Sequence, residues 1–182
     1  MFTQQTNEGG SVFSLPVKDR LYTLNSVMKK FLLLCVMFFA LTFSAQAKSL
    51  ETLHVDGLNK LIEQHHGKVI MLNFFATWCP PCREEIPELV KASAKYKGKN
   101  VLIVSLSVDE SKSKATVEKF VDKMKIDYPV YMAGRDLIQR YEVGSIPHNV
   151  FYDRQGNIVI SQPGQCDADD VSMVVEELLH AK

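Results

Sequence analysis

The sequence has no excess of charge of either sign. Its 182 residues include 21 lysines and arginines and 21 aspartates and glutamates, so the formal net charge is zero. Proteins that bind nucleic acid usually carry a basic patch or have a high isoelectric point. The overall charge therefore gives no indication of nucleic-acid binding, and we expect no nucleic-acid partner.

Long apolar runs, internal repeats and low-complexity linkers are also missing. Apolar residues make up 46% of the chain and charged residues 23%, which is ordinary for a soluble globular protein. These proportions argue against a disordered chain, a fibrous repeat and a membrane protein with several spans. Four cysteines are too few for a disulfide-built scaffold, but they are enough for one redox or metal site.

The N-terminal region departs from these averages. The uncharged segment Phe31–Phe43 follows Lys29-Lys30 and precedes Ala45-Gln46-Ala47. A basic start, a short apolar run and an A-x-A site are the three parts of a secretory signal peptide. The run is short for a membrane span, which needs about 20 apolar residues. We therefore predict a signal peptide over residues 28–47, cleaved after Ala47, with retention as an N-terminal anchor as the alternative.

Residues 1–27 precede this leader. Because a signal peptide begins at its own methionine, we interpret Met28 as the true start and residues 1–27 as an upstream extension without a fold. Cleavage leaves residues 48–182, which have the size of one domain and a net charge of about −2. Export implies an oxidising compartment in which thiol pairs can cycle as disulfides, so we expect a periplasmic or other extracytoplasmic location.

Hydrophobic periodicity within this domain predicts the element order αβαβαβαββα. Val69–Phe75 is nearly continuously apolar, as in a strand buried on both faces. A helix with Pro87 inside it is predicted from about Cys79 to Lys97. Alternating strands and helices favour parallel pairing, and a late hairpin adds antiparallel strands. The predicted helix-capping residues are Asp56 and Asp167.

The segment Trp78-Cys79-Pro80-Pro81-Cys82 lies between that strand and that helix. Two cysteines three apart at a helix start can close a disulfide ring, and the helix N-terminus stabilises a thiolate on Cys79. We predict that Cys79 is the exposed attacking sulfur and Cys82 the buried resolving sulfur of thiol–disulfide exchange. Pro80 and Pro81 suit the first helical positions. A static disulfide and a zinc half-site are alternatives, although no further cysteine or histidine pair completes four zinc ligands.

With this motif the sequence resembles the thioredoxin-like superfamily, and within it the TlpA/ResA-like exported thiol–disulfide oxidoreductases, which include the cytochrome c maturation thioredoxins. The resemblance covers about residues 50–180. The matching segments are Asn73–Pro87, Ile146-Pro147 and Phe151–Asp153 with Gly156.

The resemblance implies a thioredoxin-like three-layer α/β sandwich with a central mixed β-sheet. It also implies a cis Pro147 facing the cysteine pair, with an ordinary trans proline as the alternative. The Ile146 backbone would then be free to pair with an extended substrate strand. No cofactor is expected beyond the redox-active disulfide Cys79-Cys82.

Two positions distinguish the sequence from thioredoxin itself. The buried aspartate of thioredoxin falls at Asn73, which cannot titrate. Glu85, three residues after Cys82, matches an acidic residue that the ResA-like group places near its cysteines. If Glu85 is partly buried, its pKa should rise, which would suit it to shuttle the proton of Cys82. The alternative is a solvated glutamate beside Glu84.

His148 stands where the family usually has threonine. Its imidazole would favour a Cys79 thiolate if it approached that sulfur. Exposure to solvent, or a copper or zinc site with Cys79 and Cys82, are the alternatives. We expect Trp78 to shield the active site. Cys166 is interpreted as a lone, partly buried thiol, with an intermolecular disulfide or a regulatory role as alternatives.

These observations together predict a monomeric reductase of disulfides in exported proteins, with cytochrome c maturation as a candidate process. In this hypothesis Cys79 attacks, Cys82 resolves, Glu85 manages protons and Pro147 shapes the substrate groove. Because no pyridine-nucleotide or flavin motif is present, we expect a membrane thiol as the electron donor. The alternatives are a copper-binding chaperone using the two cysteines and His148, and a thiol peroxidase, although this motif is not a peroxiredoxin site.

Overall fold

The computed structural model of the protein describes residues 50–181. The predicted upstream extension and signal peptide lie outside these residues. No helix in the described part of the chain is long and apolar enough to cross a membrane. In chain order the elements are β1 (Thr52–Leu53), α1 (Val55–Gln64), β2 (Val69–Phe75), α2 (Pro80–Tyr96), β3 (Val101–Ser107), α3 (Lys114–Met124), β4 (Val130–Ala133), α4 (Arg135–Arg140), β5 (His148–Tyr152), β6 (Ile158–Pro163) and α5 (Ala168–His180).

The described strands form one mixed sheet in the order β1-β4-β3-β2-β5-β6. The first four of these are mutually parallel, whereas β5 pairs antiparallel with both β2 and β6. Every residue of β2 is buried because helices cover both faces of the sheet. Apolar side chains of α2, α3 and α5 pack on one face and those of α1 and α4 on the other. The predicted three-layer α/β class with a central mixed sheet is confirmed.

The main departures from the predicted elements occur at the start of the domain. Strand β1 was not predicted because two residues are too few for a periodic pattern. Asp56 does not cap α1, which begins at Val55. Instead the carboxylate of Asp136, in α4, accepts the Val55 N–H at 2.8 Å. Asp167 does cap α5, since its side chain accepts backbone N–H groups of the first turn.

Candidate active site

The two cysteines of the Trp78-Cys79-Pro80-Pro81-Cys82 segment lie at the start of α2. Cys79 is the N-cap residue, and Pro80 and Pro81 occupy the first two helical positions, where the missing N–H groups cost no helical hydrogen bond. Cys79 and Cys82 form a disulfide with a Cα–Cα distance of 5.3 Å. The Cys82 N–H also points to Cys79 Sγ at 3.3 Å, so the helix start directs a donor at the sulfur that we expect to become a thiolate.

The loop before β5 faces this disulfide. The peptide bond between Ile146 and Pro147 is cis, and the Ile146 carbonyl oxygen lies 3.8 Å from Cys79 Sγ. The loop therefore covers the sulfur, and Cys79 is only 3% exposed. The expectation of an exposed Cys79 is wrong for this oxidised form, because the sulfur is bonded to Cys82 and packed against the loop. Cys82 is fully buried, as predicted.

Trp78 is an exposed residue of the motif. Its side chain is 67% accessible to solvent, so it contributes little to the core. A large aromatic surface beside a reactive sulfur is suited to contact with another molecule. The placement is compatible with the predicted role of Trp78 at the site, which remains a prediction.

Glu85 is fully buried on α2, one helical turn after Cys82. Three N–H groups point at its carboxylate. Oε2 accepts from Asn73 Nδ2 at 2.7 Å, while Oε1 accepts from Asn149 Nδ2 at 2.7 Å and from the Cys166 backbone at 2.9 Å. The alternative of a solvated glutamate is therefore wrong, because α2 turns this side chain toward the sheet.

Burial and hydrogen bonding oppose each other at this carboxylate. Loss of hydration raises the pKa of Glu85, and the three hydrogen bonds lower it, with burial the larger effect. Asn73 is itself held by the Ser105 hydroxyl, which donates to Asn73 Oδ1 at 3.2 Å. The carboxylate thus has a raised pKa and a fixed orientation, which are properties suited to a buried proton acceptor.

Cys166 lies in the segment between β6 and α5 and is a free, buried thiol. Burial, with the nearby carboxylate of Glu85, raises the pKa of this thiol to about 11. Its Sγ lies 3.3 Å from Asn149 Nδ2. The prediction of a partly buried lone thiol underestimated its burial, since Cys166 is 8% exposed.

Sequence reasoning missed both Asn149 and the backbone of Cys166. Asn149 is the register partner of Asn73 across the antiparallel pair of β5 and β2, so both amides project from the same face of the sheet. The available signal was Asn73, a polar residue in the otherwise apolar strand β2. Its partner, however, depends on strand register, which the sequence pattern alone did not supply.

His148 lies elsewhere than the hypothesis of a Cys79 neighbour requires. It pairs with Phe74 in the sheet, and its ring meets the Phe74 ring edge-on on the face covered by α1 and α4. Its Nε2 is 3.0 Å from Ser161 Oγ. His148 is 6% exposed, so it does not point into solvent, and burial lowers the pKa of the imidazole. Its effect on Cys79 stays a prediction without a supporting contact.

A carboxylate that sequence reasoning did not single out holds the loop before Trp78. Asp109, after β3, accepts the Thr77 N–H at 2.8 Å and the Thr77 hydroxyl at 2.7 Å. The Ser107 hydroxyl donates to the same carboxylate at 2.8 Å. Thr77 lies two residues before Cys79, so Asp109 fixes the approach of the chain to the disulfide.

The profile described as the AhpC/TSA family matches residues 40–161. The chain belongs to the AhpC/TSA family. The fold and the Cys79–Cys82 pair place it with the thioredoxin-like proteins of that family.

Individual relatives of this AhpC/TSA chain carry names that refer to thiol–disulfide chemistry. It is similar to thiol-disulfide oxidoreductase ResA of Bacillus cereus, with 34% identity over 106 residues, 58% of this chain and 60% of that protein. The alignment thus spans less than two thirds of that relative.

Solved structures give the same assignment of fold. A thiol:disulfide interchange protein of Chlorobium tepidum is 31% identical with a TM-score of 0.60, covering 64% of this chain and 83% of that one. A secreted disulfide oxidoreductase of Mycobacterium tuberculosis is 26% identical with a TM-score of 0.54, covering 64% and 86%.

The alternative of a copper or zinc site has no support among the residues that the structure describes. Across residues 50–181, no group of three histidine, cysteine, aspartate or glutamate side chains is placed to hold a metal ion. Both sulfurs of the alternative copper or zinc site, Cys79 and Cys82, are bonded to each other. His148, the third ligand in that alternative, contacts Phe74 and Ser161 instead.

Proposed function

We propose that this chain is an extracytoplasmic thiol–disulfide oxidoreductase that reduces disulfides of exported proteins. The observation that carries the proposal is the Cys79–Cys82 disulfide at the N-terminus of α2, facing the loop of Ile146 and cis Pro147. The names of the ResA and thiol:disulfide interchange relatives support the same reaction class.

The reaction moves two electrons from the protein dithiol to a substrate disulfide. The Cys79 thiolate attacks one substrate sulfur, forming a mixed disulfide and releasing the other sulfur as a thiolate. Cys82 then loses its proton and attacks Cys79 Sγ, which releases the second substrate sulfur and closes the Cys79–Cys82 disulfide. Glu85, one turn along α2, receives the proton of Cys82 and passes it to the released thiolate or to solvent.

The loop opposite the disulfide offers a way to hold the substrate. Pro147 has no N–H, and within residues 50–181 the N–H of Ile146 has no backbone acceptor. The Ile146 peptide can therefore pair with an extended substrate segment, which places a substrate cysteine beside Cys79. Trp78, which precedes Cys79 and is exposed, would be available to contact the same segment.

Export and the source of electrons belong to the same proposal. The predicted signal peptide over residues 28–47 supports a location outside the cytoplasm, where the electron donor would be a membrane thiol protein and cytochrome c maturation a candidate process. The M. tuberculosis relative is described as secreted. N-terminal sequencing of exported protein tests this part: a mature chain starting well before Lys48 would contradict cleavage.

The reduction potential of the Cys79–Cys82 pair tests the direction of the reaction. Equilibration of the purified protein with glutathione buffers, read by alkylation and mass spectrometry, should give a potential in the reducing range, near the −270 mV or so of thioredoxin. A value near −120 mV, as in strong oxidants, would overturn the reductase proposal.

A further inference from the structure

Asn149 joins the buried carboxylate of Glu85 to two other parts of the domain. Its Nδ2 donates to Glu85 Oε1 at 2.7 Å and to the Gly164 carbonyl at 3.0 Å. Its Oδ1 accepts from Asn73 Nδ2 at 2.9 Å. Gly164 in turn donates its N–H to the Pro147 carbonyl at 2.9 Å. One amide therefore contacts β2, α2 and the segment that supports the cis-proline loop.

We propose that Asn149 is a positioning residue of the exchange reaction, holding the Glu85 carboxylate so that Cys82 gives up its proton in the working pH range of the enzyme. This inference rests on the proposed function, because it concerns the step in which Cys82 resolves the mixed disulfide. Asn149 does not touch the reacting sulfurs in this structure. It acts through Glu85.

The physical reason is that burial raises the pKa of Glu85 while its hydrogen bonds lower it. Removal of one amide donor disfavours the charged form of Glu85, so its pKa must rise further. A hydrogen bond to a charged group corresponds to a shift of about one to two pH units. A less available proton acceptor would delay the deprotonation of Cys82 to higher pH.

Few other groups near Glu85 can change the pH at which Cys82 loses its proton. The titratable groups facing Glu85 are the Cys166 thiol, before α5, and the Tyr128 hydroxyl, between α3 and β4. Cys82 itself lies one turn earlier on α2. Burial raises the pKa of both Cys166 and Tyr128, so both stay uncharged at neutral pH. Within residues 50–181, Glu85 forms no salt bridge with a cation.

The two sulfur steps can be measured separately with dithiobis(nitrobenzoate). Attack by Cys79 releases one coloured thiolate, and closure by Cys82 releases the second. Stopped-flow traces of the reduced protein, recorded from about pH 5 to about pH 9, give the rate of each step as a function of pH. We expect Asn149→Leu to move the profile of the second step up by about one pH unit and to leave the first step in place.

Three further variants make the result specific: a second substitution of Asn149, a double variant with Glu85→Gln, and a control. Asn149→Asp keeps the side-chain volume but puts a like charge beside Glu85, so it should shift the second step at least as far; it also serves if Asn149→Leu does not fold. In a Glu85→Gln background, Asn149→Leu should have no further effect on the profile, since its route through the carboxylate is gone. Asn157→Ala, at an exposed turn asparagine, is the matched control and should follow the wild type.

The outcomes separate this inference from the proposed function. Failure of the wild type to release both thiolates overturns the proposed exchange reaction and this inference with it. If the wild type releases both thiolates, and Glu85→Gln shifts the second step but Asn149→Leu does not, the exchange reaction stands and the proposed role of Asn149 is wrong. A shift from Asn149→Leu that persists without Glu85 also overturns it, because Asn149 would then act by another route.

Discussion

The backbone N–H of Cys166 donates a 2.9 Å hydrogen bond to the carboxylate of Glu85, although 81 residues separate them. This contact ties the segment before α5 to the helix that carries the cysteine pair. It also means that a carboxyl group in the core is held by N–H groups from three parts of the chain, with no salt bridge to a cation among the described residues. A buried carboxyl group held in this way is expected to affect the pH dependence of stability.

We predict that Glu85 makes the protein less stable as pH rises. Its pKa is raised in the folded state by burial, so the folded protein holds the proton more tightly than the unfolded chain, in which a glutamate has a pKa of about 4.3. The associated stability is present below that value and is lost as pH rises through the folded pKa. Urea unfolding of the oxidised protein and Glu85→Gln from about pH 4 to pH 8 measures the difference.

The expected result is a free energy of unfolding that falls with pH in the wild type relative to Glu85→Gln. The matched control is Glu84→Gln, because Glu84 is the exposed neighbour on the same helix. Its stability curve should follow the wild type. If the free energy of unfolding of the wild type stays constant or rises with pH relative to that of Glu85→Gln, the raised pKa is contradicted.

The parts of the site that could be predicted are local in sequence. Cys79, Cys82 and the two prolines share one strand-to-helix junction, and the position of Glu85 follows from helical spacing. The amides around Glu85 could not be predicted, because Asn149 reaches it only through the register of β5 on β2. The surroundings of His148 depend on the same register: neighbouring residues of a strand face opposite sides of the sheet, so Asn149 faces Glu85 and His148 faces Phe74.

The roles of the two cysteines predict which variant captures a substrate. Cys82→Ser should accumulate a mixed disulfide on Cys79, because attack still occurs but resolution does not. Cys79→Ser should accumulate none, since Cys82 is fully buried. Each variant is reduced, mixed with a disulfide-containing substrate, and separated by non-reducing electrophoresis. Peptide mapping of the adduct then identifies the cysteine that is linked to the substrate. Capture on Cys82 in the Cys79→Ser variant would reverse the assignment.

Cys166 should behave as an inert thiol in the folded protein. At the pKa of about 11 produced by its burial, about one molecule in a thousand carries the thiolate at pH 8. We expect iodoacetamide to leave Cys166 unmodified in the native oxidised protein and to label it fully in urea, as read by mass spectrometry. Labelling at a similar rate under both conditions would show that the thiol is accessible, contrary to its 8% exposure.

Asp109 should stabilise the domain through its contact with Thr77. Asp109→Ala removes the acceptor of the Thr77 N–H, the Thr77 hydroxyl and the Ser107 hydroxyl, so we expect a loss of about 2 kcal/mol in the free energy of unfolding. Thr77→Val removes one of these bonds and should cost about 1 kcal/mol. Urea unfolding at neutral pH measures both, with the exposed Asp122→Ala as a control that stays within about 0.5 kcal/mol of wild type.

The double variant of Asp109 and Thr77 decides whether the loss comes from their contact. If Asp109→Ala acts by releasing the chain before Trp78, Thr77→Val adds little to it, and the two losses are less than additive. Loss of the contact between Asp109 and Thr77 should also slow the attack of Cys79 on dithiobis(nitrobenzoate), because Thr77 lies two residues before that cysteine. Fully additive losses with an unchanged rate of attack would mean that Asp109 stabilises its own turn after β3 and has no part in placing the disulfide.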